Sequence, residues 1–141
     1  MRHPLQALLI APNPIVRADI HNGKKAITIR EGHRDYREGP VMLCCHLDPW
    51  AVQADITEIR HTTLGEITEA EFTDDGYETR EQMLEDLRSF YADIDFESPV
   101  TVIRWANVRG AWIDAKHIYA RDYALPYLEA QEAAEGGRDK R

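Results

Sequence analysis

Asn22-Gly23-Lys24-Lys25-Ala26-Ile27-Thr28-Ile29-Arg30-Glu31-Gly32-His33-Arg34-Asp35-Tyr36-Arg37 is the stretch on which the fold turns. Gly23 is suited to ending a helix, because glycine enters the left-handed conformation without steric cost. Residues 26–30 then alternate with a period of two. Ile27 and Ile29 point one way, while Ala26, Thr28 and Arg30 point the other. The pattern predicts a short strand with its isoleucines in a core and a hydroxyl and a guanidinium side by side on an accessible face. Residues 23–37 hold five Lys/Arg and two Asp/Glu, net +3, in a chain of net −8, so the remainder is net −11. A positive segment on an acidic chain is what a confined site for an anionic or strongly polar ligand looks like. A solvated hairpin with scattered charges has the same composition.

On the N-terminal side of this stretch, Leu5 to Ile10 reads as a first strand. Asn13-Pro14 reads as a helix start, with Asn as the cap and Pro at the first helical position. On the C-terminal side, Gly32 to Pro40 is a loop, Val41 to Leu47 an apolar strand and Asp48-Pro49 a turn. The next strand carries Trp50, Val52, Ala54 and Ile56 on one face. Thr68 to Glu71 and Thr79 to Gln82 both fit a capping box. The second box opens a helix with Met83, Leu84, Leu87, Phe90 and Tyr91 as a buried stripe. Between the helices, Thr73 to Tyr77 reads as an acidic loop. Val100 to Trp105 is apolar on both faces, as an inner strand is.

About five strands, with helices inserted at two points and no regular βαβ alternation, predict an α+β fold. Its centre is a small, mostly antiparallel barrel decorated with helices. Ile27, Ile29, Val52, Ile56, Val102 and Ile103 are expected to share one core. Residues 1–110 are expected to form that domain, and 111–141 a helical extension with a frayed polar end.

The 141 residues suffice for one core without staples,. No apolar run approaches the roughly 20 residues that cross a bilayer, so a cytoplasmic protein with no membrane partner is expected. Cys44 and Cys45 are adjacent, point to opposite faces of a strand, and are expected to be reduced. Cys44 and His46 share a face, but no second pair stands at ligand spacing, so neither a metal nor another cofactor is expected. The acidic balance argues against a large nucleic-acid footprint, though not against a nucleoside or a short single strand in a local cleft.

The run Gly23 to Arg30 resembles the signature of the ASCH domain, a relative of the PUA domain. That signature is a helix ending in Gly, a basic pair, and a strand ending in Arg. The order of elements is similar from Leu5 to Trp105, about 100 of the 141 residues. The resemblance implies a PUA-like barrel with a polar cleft beside it and a link to RNA. One branch of short bacterial ASCH proteins consists of amidohydrolases that remove the acetyl group from N4-acetylcytidine with a Lys base, a Thr nucleophile and a Glu acid. These fall on Lys25, Thr28 and Asp75. The chain departs from the branch at Ala26, where a Thr is usual, and at Asp75, one methylene shorter than Glu. Other members look like non-catalytic RNA-binding modules or ribonucleases, and a metal-independent ribonuclease in the same basic cleft is the alternative.

Amide hydrolysis needs an activated nucleophile, stabilisation of the oxyanion and an acid for the leaving amine. A lysine serves as base when burial or nearby cations favour its neutral form. Lys24 and Arg30 are placed to act this way, and Arg30 could instead hold an oxyanion or phosphate. Lys25 and Thr28 are three apart, so Lys25 fits the role if it lies in the turn before the strand. His33, Arg34, Tyr36 and Arg37 come next, on the loop. A base stacked on Tyr36, with phosphate held by Arg34 or Arg37, suits a nucleoside or short single-stranded RNA. Trp50 and Trp105 are further stacking candidates, although tryptophans at strand ends are more often core.

Overall fold

The structure, a computed structural model, describes residues 6–45, 47 and 50–110. The 111–141 extension and the Cys44/His46 pairing therefore fall outside the described residues. In chain order the described elements are β1 (Gln6–Leu9), α1 (Pro14–His21), β2 (Ile27–Glu31), β3 (Gly39–Cys45) and β4 (Trp50–Thr63). After a single 3-10 turn come α2 (Glu69–Asp74), α3 (Arg80–Arg88) and β5 (Pro99–Arg109).

Local chemistry sets the first elements. The Asn13 side chain accepts from the Ile15 and Val16 N–H groups at 2.9 and 3.4 Å, which caps α1, and Pro14 is its first residue. Gly23 takes φ +83°, the left-handed conformation that stops the helix,. The Lys25 N–H then turns back to the Asp19 carbonyl at 3.0 Å. Lys25 thus lies in the turn, two residues ahead of β2.

The strands form one sheet in the order β1-β3-β4-β5-β2. The β1–β3 pair is parallel, with α1 and β2 as its crossover, and the other pairs are antiparallel. The long β4 serves both halves. Its first part pairs with β3 and its later part with β5, and its register against β5 shifts between Gln53 and Asp55 and again between Ile56 and Glu58. Such irregularities bend a strand and increase its twist. The result is a curled half-barrel in which the two edge strands approach each other. Arg30 on β2 donates through Nη2 to the Leu9 carbonyl on β1 at 2.7 Å.

Both faces of this sheet are buried. One core gathers Leu8, Ile20, Leu43, Val52, Ile56, Ile103 and Trp105. The other gathers Ile27, Ile29, Val102, Phe72, Met83 and Leu87. The six residues expected in one core are therefore divided. Val102 and Ile103 are neighbours on one strand and point oppositely, and the register pairs Ile29 with Val102 and Thr28 with Ile103,. Ile27 and Ile29 do point away from Thr28 and Arg30, but α2 and α3 cover them. Thr28 lies on the face of the first core and is 6% exposed, not on an open face, because the curl folds that face inward.

Three local expectations are also corrected. Thr73 and Asp74 belong to α2 rather than to a loop. Helix α3 ends at Arg88, leaving Phe90 65% exposed instead of in the buried stripe. At the second box Thr79 does accept from Gln82 N–H at 3.0 Å, but the Gln82 side chain accepts from Glu78 N–H at 2.6 Å, one residue before the cap. Trp50 and Trp105 are core, 2% and 3% exposed. Among the described residues no helix is long and apolar enough to cross a membrane.

Candidate functional site

The site collects at the β2 edge. Lys25, on the turn that Gly23 opens, places Nζ 2.5 Å from Asp75 Oδ1 and 2.8 Å from the Ile27 carbonyl. Asp75 caps the C-terminus of α2, its N–H bonding back to the Glu71 and Thr73 carbonyls. A carboxylate there meets the negative end of the helix dipole, and its side chain is only 7% exposed. Burial pushes the Asp75 carboxyl above its ordinary range, against the opposing pull of Lys25 and Arg30,. Lys25 touches the carboxylate, whereas Arg30 acts on it by charge from the other face of β2.

On that face Arg30 donates through Nε to Thr28 Oγ1 at 2.9 Å. The hydroxyl is thus held as an acceptor, leaving its own hydrogen to be given. Burial lowers the Arg30 guanidinium, opposed by Tyr91, Tyr36 and Asp75, and its remaining neighbour Arg34 is a like charge. Tyr91 belongs to the stripe expected in the core. It lies just beyond α3 and packs half-buried at the edge of the second core. Its helical spacing matched the apolar residues, so nothing in the sequence separated it from them.

Helix α2 is aimed by a second ion pair. Arg60 on β4 grips Glu71 with Nε to Oε2 at 3.0 Å and Nη2 to Oε1 at 2.6 Å. Glu71 also completes the capping box, its Oε1 accepting from Thr68 N–H at 2.8 Å while its own N–H donates to Thr68 Oγ1 at 3.1 Å. Burial raises Glu71, but the Arg60 fork and the Thr68 N–H outweigh it and hold the carboxyl below its usual range,. The helix that carries Asp75 is thereby tied to the sheet.

The loop candidates have other partners. His33 stacks on His61 with ring centroids 4.8 Å apart. Both rings donate from Nε2, because their partners are the Thr62 and Arg34 carbonyls, at 3.1 and 2.9 Å,. Arg34 spends Nε on the Glu31 carbonyl at 2.8 Å, and its N–H donates to Thr101 Oγ1 at 2.8 Å. The Tyr36 hydroxyl donates to the Ala7 carbonyl at 3.0 Å while its ring packs on the first core. Arg37 N–H donates to Gln6 Oε1 at 2.6 Å. Lys24 is exposed on the turn. The structure thus pairs Lys25 with Asp75 and Thr28 with Arg30, the two pairs on opposite faces of β2, and groups of His33, Arg34, Tyr36 and Arg37 also fasten the loop across the sheet. Among the described residues no three His, Cys, Asp or Glu side chains are grouped to hold a metal ion.

Compared with known proteins, the chain matches no protein-family model, and a search of curated proteins gives no match.

Burial of Asp75 also bears on stability. A carboxyl whose folded pKa lies above its unfolded value favours the native state below the unfolded value, and that contribution is lost as pH rises through the folded value. At neutral pH the Asp75 charge therefore works against folding. Asp75→Asn is expected to leave the melting temperature at pH 7 unchanged or higher, and to lose this advantage in acid. A lower melting temperature at pH 7 would mean that the charged pair with Lys25 is a net stabiliser.

Proposed function

We propose that this is an ASCH-like protein with a PUA-like barrel that hydrolyses an N4-acylated cytidine or a related acylated nucleobase. In this reading Lys25 is the base, Thr28 the nucleophile and Asp75 the acid. The observation that carries it is the seat of Lys25. Its ammonium lies 2.5 Å from the Asp75 carboxylate and 2.8 Å from the carbonyl of the peptide that joins Ile27 to Thr28. Base and acid candidates touch each other, and the base rests on the backbone carbonyl of Ile27, the residue before the one bearing the hydroxyl.

The pair has a neutral form, amine beside carboxylic acid, reached by moving one proton from Lys25 to Asp75. Burial of Asp75 makes that move less costly,. In the neutral form the Thr28 oxygen attacks the acyl carbon as its proton passes to the Lys25 amine. The C–N bond then breaks as the Asp75 proton passes to the departing exocyclic nitrogen, releasing cytidine and leaving an ester on Thr28. Water attacks the ester, giving a proton to the Asp75 carboxylate, while the Lys25 ammonium returns its proton to the Thr28 oxygen. The acid is released and the pair is neutral again. Arg30, bonded to Thr28 Oγ1, supplies positive charge beside the oxygen that changes bonding,.

The test is release of cytidine from N4-acetylcytidine, with Asp75→Asn as the diagnostic variant. That variant is expected to fold and to lose turnover, since an amide cannot supply the proton. Full activity in Asp75→Asn would remove the acid from this scheme. Salt-sensitive binding of short single-stranded RNA with no turnover of any acylated nucleoside would favour a non-catalytic RNA-binding module instead.

A further inference from the structure

Backbone polarity along β2 leads to a recognition element beside these side chains. In an antiparallel pair, residues alternate between those that exchange hydrogen bonds with the partner strand and those whose N–H and C=O point away. The phase against β5 is set at both ends of the strand. Trp105 N–H donates to the Ala26 carbonyl at 3.1 Å, and Gly32 N–H donates to the Pro99 carbonyl at 2.7 Å. With the register Thr28↔Ile103 and Arg30↔Thr101, the bonded residues of β2 are the even-numbered ones. Ile27, Ile29 and Glu31 therefore turn their backbone groups outward. Among the described residues β2 has no neighbour on that side, since it ends the sheet.

Two of the three outward carbonyls are served by side-chain cations. Ile27 accepts from Lys25 Nζ at 2.8 Å and Glu31 accepts from Arg34 Nε at 2.8 Å. Both contacts independently confirm the phase. Between them, the Ile29 N–H and C=O have no partner among the described residues, and the residue is only 3% exposed. A buried backbone donor and acceptor left unmade together is rare and costs each group its lost hydration. Here the two groups lie side by side, between the residues that carry the candidate nucleophile and its arginine.

We infer that the Ile29 N–H and C=O form the base-reading element of the site, pairing with the adjacent acceptor and donor on the Watson–Crick edge of a pyrimidine nucleoside. For cytosine, Ile29 N–H donates to N3, and the N4–H donates to the Ile29 carbonyl. An N4-acyl amide keeps one N4–H, so substrate and product present the same pair. This rests on the nucleoside reading of the site and adds to it which atoms select the base. The recognition needs no side chain of Ile29, whose hydrophobic group stays in the second core.

The test follows the amide of Ile29 in the full-length, 15N-labelled protein while cytidine and 3-deazacytidine, which lacks the N3 acceptor, are titrated separately. Cytidine is expected to shift the Ile29 amide resonance and slow its hydrogen exchange. 3-Deazacytidine is expected to bind about ten- to a hundredfold more weakly, because the buried N–H is left unpaired. Cytidine binding that leaves the Ile29 amide unmoved, with 3-deazacytidine bound equally well, overturns the inference and leaves the nucleoside reading standing. The expected shifts without hydrolysis of N4-acetylcytidine support the inference and remove the amidohydrolase chemistry. Absence of any nucleoside binding at millimolar concentration overturns both.

Discussion

Lys25→Ala and Thr28→Ala are each expected to lower kcat/KM for an N4-acylated cytidine by about a thousandfold or more, the scale of losing the base or the nucleophile. Joining the two changes is expected to cost little beyond either one. Residues that act in one proton-transfer unit are not additive, since the second has nothing to do once the first is gone. The two single variants differ in what they leave behind. Thr28→Ala removes the oxygen that receives Arg30 Nε at 2.9 Å, while the Lys25–Asp75 pair stays in place. Lys25→Ala leaves Asp75 buried with Arg30 as its remaining cationic influence, so that carboxyl moves further toward its protonated form. Steady-state rates of the three proteins check the claim. A double variant slowed by the full product of the two single effects would mean that Lys25 and Thr28 act independently.

Arg60→Ala is expected to destabilise the fold by about 2–3 kcal/mol at neutral pH, because it leaves the Glu71 carboxylate buried without its fork,. A value just below the roughly 3–5 kcal/mol of a fully buried pair is apt because Arg60 is about one-third exposed (35%) and water can partly replace it,. The pH dependence comes from the sign of the shift. Glu71 is held below its ordinary value of 4.5 in the folded protein. Its contribution is therefore complete above that value and is lost as pH falls toward the folded pKa. The gap between wild type and Arg60→Ala in urea midpoint should be full at pH 7 and should narrow below about pH 4.5. Activity should fall as well, since Arg60 and Glu71 hold the helix that ends in Asp75. An equal gap at pH 7 and pH 3 would assign the loss to packing of the Arg60 stem instead of its charge.

Much of this architecture is written in short-range signals. Asn13 with Pro14, Gly23, and Thr68 with Glu71 are each read within a few residues, and each marks a helix end where expected. The alternation of Ile27 and Ile29 against Thr28 and Arg30 also holds. What that alternation cannot carry is which core each side meets. Val102 and Ile103 are equally apolar, and their assignment depends on pairing with β2, roughly 70 residues away in the chain. The burial of Thr28 comes from the curl that brings β1 toward β2, a long-range property of the bent β4.

The candidate site divides the same way. The place of Lys25 ahead of the strand comes from Gly23, but its contact with Asp75 spans fifty residues. The resemblance to ASCH proteins pointed to both residues, and composition alone pointed to neither. The loop cations and Tyr36 stand out in the sequence because charged loop residues often meet ligands. Their backbone N–H groups at Arg34 and Arg37, and the Tyr36 hydroxyl, also tie the loop to β5 and β1, which no sequence signal announced. The Ile29 backbone groups, unpaired among the described residues, had no sequence signal, since their state depends on the strand order and on β2 ending the described sheet.

Whether the Lys25, Thr28 and Asp75 cluster hydrolyses an acylated nucleobase is decided by incubating the intact chain with N4-acetylcytidine and assaying free cytidine and acetate together. Both are expected to accumulate in equal amounts over many turnovers, and Thr28→Ala is expected to stop their release. N4-Acetylcytidine left intact at stoichiometric protein, or cytidine release undiminished in Thr28→Ala, would refute the proposed chemistry.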